Sequence, residues 1–340
     1  MPEGCKRQLQ PRIWPAAVVL ALILFFWFFK VADYYPLDIN LKHRANFFGV
    51  TFSTKFSEEL GLDWREVYAV ILDQLRARYI RIPVYWDEIE KEEGVFDFSN
   101  YDYLIAEGEK RNVKFIISVG RRVPRWPECH SPAWLNKKND IQARVATLKE
   151  IRAIVERYRG HKSIEYWQVE NEPFLGTFGV CPSFDEGFLK QEFELVRSLD
   201  DRKIIITGSG ELGLWRKEAK IGDIFGTTLY RVVYNSWFGY VKYPLPLSYY
   251  KLKAHLAGLN NDRLMILELQ AEPWVPKGEM IYLTEAEINK TMSLLQFKAN
   301  IQYAIDLDYN RAYLWGVEWW YWQKKYGNPA YWDIATSLFY

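Results

Sequence analysis

The chain has 340 residues, 49% of them hydrophobic and 26% charged, with a formal net charge of +1. That balance excludes an intrinsically disordered chain and gives no sign of a basic nucleic-acid binder. The length suits two average domains, yet α/β barrels commonly place about 250 residues or more in one. Aromatic residues make up 17%, with 15 Trp and 23 Tyr, which fits either a bulky core or a cleft lined with flat rings.

Residues 1–12, MPEGCKRQLQPR, carry Lys6, Arg7 and Arg12 and read as a cytoplasmic N-terminus. An uncharged apolar run follows from Ile13 to Phe29 and stops at Lys30, with Val31 and Ala32 extending it. Its 17 residues lie at the short edge of the spanning range, so residues 13–32 are expected to form a transmembrane signal anchor. A cleaved signal peptide is the competing reading, but the run is long for one and no small-x-small site follows before Asp33. Residues 33–44 then read as a linker to a domain at 45–340. The flanking charges predict a single-pass protein with that domain outside the cytoplasm, at a cell surface or in a periplasm. Cys5 would be cytoplasmic, whereas Cys129 and Cys181 would lie where a disulfide persists. There is no CxxC, and the four His (His43, His130, His161, His255) are scattered, so neither a metal nor another cofactor is expected.

From about residue 45 short apolar runs alternate with longer amphipathic ones, the pattern of a parallel α/β fold. Eight candidate strands are FFGVTFS (47–53), YIRIPV (79–84), VKFIISVG (113–120), IEYWQVE (164–170), KIIITGSG (203–210), FGTTLYRVVY (225–234), RLMILELQ (263–270) and RAYLWGVEWW (311–320). Between them WREVYAVILDQLRAR, YDYLIAEGEKR, IQARVATLKEIRAIVERYR, FDEGFLKQEFELVRSL and EAEINKTMSLLQFKANIQYAI space apolar residues three or four apart, as helices do. The last starts after Thr284 with Glu287 three residues on, a capping-box spacing. Eight such units without a glycine-rich phosphate turn predict a (β/α)₈ TIM barrel rather than a doubly wound sheet. In a barrel the active site forms where strands end and their following loops begin, which directs attention to the strand ends.

The fourth strand ends in Glu170, Asn171, Glu172 and Pro173. Carboxylates at the top of a core strand need water, a counter-charge or a task, so a solvated loop start competes with a functional one. The seventh strand runs apolar from Leu264 to Leu267 and then presents Glu268. Two carboxyls facing each other across a barrel mouth are what glycoside hydrolysis uses, one held as an acid and the other as an ionised nucleophile or base. Arg81, inside YIRIPV, is either a surface residue or the cation that holds Glu268 ionised. Tyr230 is either a core tyrosine or a hydrogen-bond donor to the same carboxylate. The eighth strand ends in WGVEWWYW, where indole faces suit the CH faces of sugars; Trp320 and Glu318 are the expected substrate contacts. Glu170 alternates away from Asn171 and is expected to be structural.

These residues resemble the superfamily of retaining (β/α)₈ glycoside hydrolases, clan A type, which includes cellulase-like, mannanase-like and β-galactosidase-like enzymes. The resemblance rests on Asn171 with Glu172, on Glu268, on Arg81 in RIPVYW, on EEGVFDFSNYDYLI and on SPAWL, and covers roughly residues 45–330. It implies that Glu172 is the acid/base, Glu268 the nucleophile and Asn171 a donor to a sugar hydroxyl, with a carbohydrate substrate cut by double displacement. A cell-surface transglycosylase shares every one of these residues, and a carbohydrate-binding pseudoenzyme is the alternative from another class. One departure is the cationic loop GRRVPRWPECH, where Arg121, Arg122 and Arg125 either favour anionic glycans or pair with local acids. Cys129 and Cys181 follow the third and fourth strands, so a disulfide between them is expected to staple the rim. The short linker leads into strand starts, the face opposite the active site, which predicts a cleft facing away from the bilayer. Oligomeric state is not encoded in any of these signals.

Overall fold

Runs of Val, Ile, Leu and Phe too short for helices become strands buried on both faces, as a parallel sheet inside a ring of helices requires. In the computed structural model, which describes residues 18–20 and 39–340, eight of these runs pair in parallel and close into a barrel. In chain order they are β1 (Phe48–Thr51), β2 (Tyr79–Pro83), β3 (Lys114–Val119), β4 (Ile164–Val169), β5 (Ile204–Gly208) and β6 (Ile224–Leu229). A small antiparallel hairpin follows, β7 (Val232–Asn235) with β8 (Gly239–Lys242), before β9 (Leu264–Gln270) and β10 (Ala312–Trp315) complete the ring. The barrel closes because β1 pairs with both β2 and β10, Phe48 standing opposite Ala312 and Thr51 opposite Arg81.

Two apolar regions result. Inside the ring, Ile116, Ile205, Ile224, Met265, Leu267 and Tyr313 form a separate buried cluster with Tyr79 and Tyr166 against it. That plug makes the barrel a packed core rather than a pore, and it supports the polar residues above it. Outside the ring, the other strand faces pack against the amphipathic helices, of which Asp140–Tyr158 and Leu294–Leu307 are examples. The first of these starts with a full capping box between Asn139 and Gln142.

Three expectations change. The predicted strand 225–234 is two elements, because Gln270 Oε1 accepts from the backbone N–H groups of Arg231 and Val232 and turns the chain out of the barrel. The predicted strand 311–320 ends at Trp315: Gly316 has φ 123° and a helix, Val317–Lys325, follows. The helix expected after Thr284 is two helices, since Ser293 ends Glu285–Met292 and caps Leu294–Leu307 through Gln296 N. Thr284 does cap the first, its hydroxyl accepting from Glu287 N. The expected anchor, residues 13–32, lies outside the described residues except for 18–20. Among the described residues no helix is long and apolar enough to cross a membrane.

Candidate active site

β4 ends at Val169, and the next residues leave the sheet through strained backbone: Glu170 and Glu172 have φ of 56° and 42°. A non-glycine side chain adopts that region at a cost of about 1–3 kcal/mol, and such residues cluster where geometry serves function. Glu170 turns away from the barrel mouth, its carboxylate accepting from the backbone N–H groups of Arg121 and Arg122, both at 2.8 Å. A Cβ on Gly120 would come within 2.3 Å of that carboxylate, so the glycine makes the contact possible. Glu170 is thus a brace between the loops after β3 and β4.

Asn171 is the hub. Its Nδ2 donates to Glu268 Oε1 at 3.2 Å and to Glu128 Oε2 at 3.0 Å. Its Oδ1 accepts from Arg81 Nη2 at 2.8 Å, and from Thr207 and Gln168 at 3.2 Å each. Arg81 is fully buried, held by Gln168 Oε1 at 2.7 Å and by the Leu267 carbonyl, and its Nη1 stands 3.2 Å from Glu268 Oε1. The Tyr230 hydroxyl donates to the other oxygen, Glu268 Oε2, at 3.1 Å. An arginine, an amide and a phenol therefore converge on one carboxylate and supply charge and donors to a negative centre.

Glu172 has the opposite surroundings. Its backbone N–H is fixed by Thr207 Oγ1 at 2.8 Å, while among the described residues its carboxyl receives only the long contact from Thr228 Oγ1 at 3.4 Å. Burial, then the charges of Glu268 and Glu128, hold Glu172 well above the usual carboxylate range, so it keeps its proton. Glu211 stands behind Thr228, accepts from the Tyr250 hydroxyl at 2.7 Å and is pushed up to about 7 by burial. The site thus pairs a carboxylate supplied with donors and a carboxylic acid deprived of them, the split that acid–base chemistry with a nucleophile requires.

The third and fourth loops are joined as expected, Cys129 to Cys181 with Cα atoms 5.3 Å apart. Two of the three arginines in the cationic loop after β3 are buried rather than on a charged rim, while Arg121 is half-buried and donates to the Ser131 hydroxyl. Arg125 is buried between Glu272 and Glu318, with its guanidinium 3.7 Å from the Phe56 ring and 4.2 Å from the Trp315 ring. Arg122 is spent on the carbonyls of Leu175 and Phe178, at 3.0 and 2.9 Å, and lies 3.7 Å from Glu128.

Two expected substrate contacts are corrected. Glu318 and Trp320 both belong to the helix after β10 and both are fully buried. Glu318 is occupied by Arg125 and by the Ser53 backbone N–H at 2.5 Å. The Trp320 indole N–H donates to the Ala271 carbonyl at 2.7 Å, and its ring packs on Phe297. The indole at the true strand end is Trp315, whose Nε1 donates to Glu272 at 2.8 Å. The half-buried ring beside the reactive groups is Trp274, edge-on to Tyr230 with centroids 5.8 Å apart. From it aromatic contacts continue to Phe178 and then to Trp126, which is 60% exposed at the mouth.

Glu128, Glu211, Thr207, Thr228 and Trp274 were missed by sequence reasoning, whereas Arg125 takes the second of its two expected roles and pairs with acids. Thr207 and Thr228 stand next to last in β5 and β6, and Glu211 and Trp274 follow soon after β5 and β9, all positions that a search of strand ends can reach. Among the described residues no group of three or more His, Cys, Asp or Glu is placed to hold a metal ion.

No protein-family model matches the chain. Among curated proteins, the β-galactosidase BgaA of Clostridium cellulovorans is 22% identical over 175 residues, covering 43% of this chain and 25% of that protein. The matched segment is thus a quarter of that relative's length. Among solved structures, xylanase 10B from Thermotoga petrophila, in complex with xylobiose, aligns with a TM-score of 0.57 at 14% identity, covering 88% of this chain and 94% of that one. Endo-glycoceramidase II from a Rhodococcus species aligns with a TM-score of 0.51 at 14% identity, over 82% of this chain and 75% of that one. Another structure of that enzyme holds a lactosyl-enzyme intermediate. At such identities the likeness establishes the fold, the (β/α)₈ barrel of these glycoside hydrolases.

Proposed function

We propose that the protein is a retaining β-glycoside hydrolase that works by double displacement on an oligo- or polysaccharide. Glu268 attacks the anomeric carbon as Glu172 gives its proton to the departing oxygen. Glu172 then takes a proton from water, which releases the sugar from Glu268 with its configuration retained. The observation that carries the reading is the unequal treatment of the two acids. Arg81, Asn171 and Tyr230 converge on Glu268, while Glu172 is buried with one weak donor and has its proton held by burial and neighbouring acids. The named activities of the compared enzymes agree with it, as does a sugar-enzyme intermediate in one of them. The row of rings from Tyr230 through Trp274 and Phe178 to Trp126 supports a substrate longer than one sugar.

Proton NMR of the first-formed anomer decides between retention and inversion. Hydrolysis of a β-glycoside should give the β-anomer first; initial release of the α-anomer would replace Glu268 as nucleophile with a base that activates water. The apolar run before the barrel and its flanking charges support a membrane-anchored enzyme with the barrel outside the cytoplasm. The Cys129–Cys181 disulfide fits an oxidising compartment. Alkaline carbonate extraction of membranes followed by protease protection of sealed vesicles tests that placement, and release of the full-length chain into the soluble fraction would contradict it.

A further inference from the structure

The glycosidase reading uses the carboxyl groups of Glu172 and Glu268, but a third, Glu128, shares Asn171 with Glu268. Glu128 is 4% exposed, and its Oε2 accepts from the same Asn171 Nδ2 that donates to Glu268 Oε1, at 3.0 and 3.2 Å. Two oxygens on one nitrogen can be no further apart than about 6 Å, the span of one sugar ring. Among the described residues nothing donates to Glu128 Oε1, yet this oxygen is not a sealed, unpartnered atom, so it keeps some exposure beside Asn171.

The chain invests several contacts in holding this side chain there. Glu128 has φ 73°, its N–H donates to the Arg125 carbonyl at 2.7 Å, and its carbonyl accepts from Val123 N at 2.9 Å. From the neighbouring loop, Val180 N donates to the Pro127 carbonyl at 2.9 Å. Gly179 has φ 84°, and a Cβ on it would stand 2.9 Å from Glu128 Cβ and 3.0 Å from its Cγ. The Cys129–Cys181 disulfide follows directly on both sides. A glycine, a backbone hydrogen bond and a disulfide in consecutive positions thus press residue 128 toward Asn171. Buried polar groups held this way are matched to a partner, since an unmatched one costs more than it returns.

We propose that Glu128 is a substrate-binding, specificity-determining residue that hydrogen-bonds a free hydroxyl, at C2 or C3, on the sugar ring transferred to Glu268. The inference rests on the glycosidase reading above. Its physical basis is that a ring whose anomeric carbon faces Glu268 brings the hydroxyls beside that carbon within reach of Glu128 Oε1. Burial and the nearby Glu268 charge push Glu128 up to about 8, so near neutrality it is a protonated acid. Such a group both donates and accepts, as a hydroxyl does. The loop that looked cationic in sequence therefore offers the substrate a carboxyl group, with Arg122 and Arg125 already engaged.

The test is kcat/KM of the wild type, Glu128→Ala and Glu128→Gln on an aryl β-glycoside that the wild type cleaves and on its 2-deoxy and 3-deoxy analogues. Glu128→Ala should lose on the order of 10-fold or more on the parent glycoside but less than about 2-fold on the analogue that lacks the partner hydroxyl. Glu128→Gln, which keeps a donor and an acceptor, should show the same pattern with a smaller loss, and it carries the test if the alanine variant does not fold. Equal losses on all three substrates would overturn the inference. Labelling of the wild type by a 2-fluoro glycoside separates the two levels. A wild type that is labelled while Glu128 shows no hydroxyl dependence refutes only the role of Glu128. A wild type that neither labels nor turns over refutes the glycosidase reading and this inference with it.

Discussion

Two buried arginine–carboxylate groups sit on the same barrel rim. Arg81 meets Glu268 at the end of β9; Arg125 meets Glu272 and Glu318 beside β10. Read from sequence, Glu268 and Glu318 look alike, each an acid ending an apolar strand. In the fold they differ by what surrounds them. Glu318 is fully buried, with one oxygen taken by Ser53 N and the other by Arg125, and aromatic rings flank the guanidinium. Glu268, 4% exposed, accepts from Arg81, Asn171 and Tyr230, across from an acid that holds a proton. Exposure does not separate the two groups, since Arg125 and Glu272 are each 7% exposed; what separates them is the acid opposite, because Glu268 faces a carboxyl group that holds its proton.

Substitutions on each side should therefore fail in different ways. The largest effect belongs to Glu268→Ala, which removes the proposed nucleophile. Its kcat should fall on the order of 10⁵-fold per folded molecule, although buried Arg81 also loses its carboxylate partner. An active Glu268→Ala enzyme would collapse the distinction between the two groups. Glu172→Gln comes next, with kcat down about 10²- to 10⁴-fold on substrates with poor leaving groups. The loss should be much smaller on an activated aryl glycoside, whose leaving group needs little proton, and equal losses on both would remove the acid role.

In the other group, Arg125→Met leaves two buried acids without their cation. It should cost about 3–5 kcal/mol of stability in chemical denaturation, with the residual folded enzyme keeping its substrate preference. A stable Arg125→Met variant with altered preference would place this group in the substrate site instead. The smallest effect is electrostatic and sharpens the acid side. Glu211 is one of the charges that raise Glu172, so Glu211→Gln should lower the Glu172 pKa. Activity depends on Glu172 keeping its proton, so it is lost as pH rises through that value. The alkaline limb of the pH–rate profile should move to lower pH, by about one unit or less. A shift to higher pH would contradict the assignment.

The barrel was legible because its strands are apolar runs bounded by polar turns, and Glu172, Glu268, Arg81, Asn171 and Tyr230 fall at or beside strand ends. What failed has local causes. RAYLWGVEWW is apolar throughout, so nothing in its pattern announces the helix that Gly316 starts, and Trp320 was read with a strand's period when it lies on a helix. FGTTLYRVVY favours strand over its whole length, and only a tertiary contact from Gln270 breaks it. Glu128 and Arg125 lie in a loop without periodicity, where the pairing of each charge depends on residues far along the chain. The Cys129–Cys181 link could be anticipated because it needed only the order of the loops.

The covalent step is the centre of the account. Incubating the protein with an activated 2-fluoro β-glycoside, digesting it with pepsin and sequencing the labelled peptide by mass spectrometry should place the sugar on Glu268, in the segment LMILELQ. A label on Glu172, or steady turnover of the parent glycoside with no covalent adduct at any residue, would contradict it.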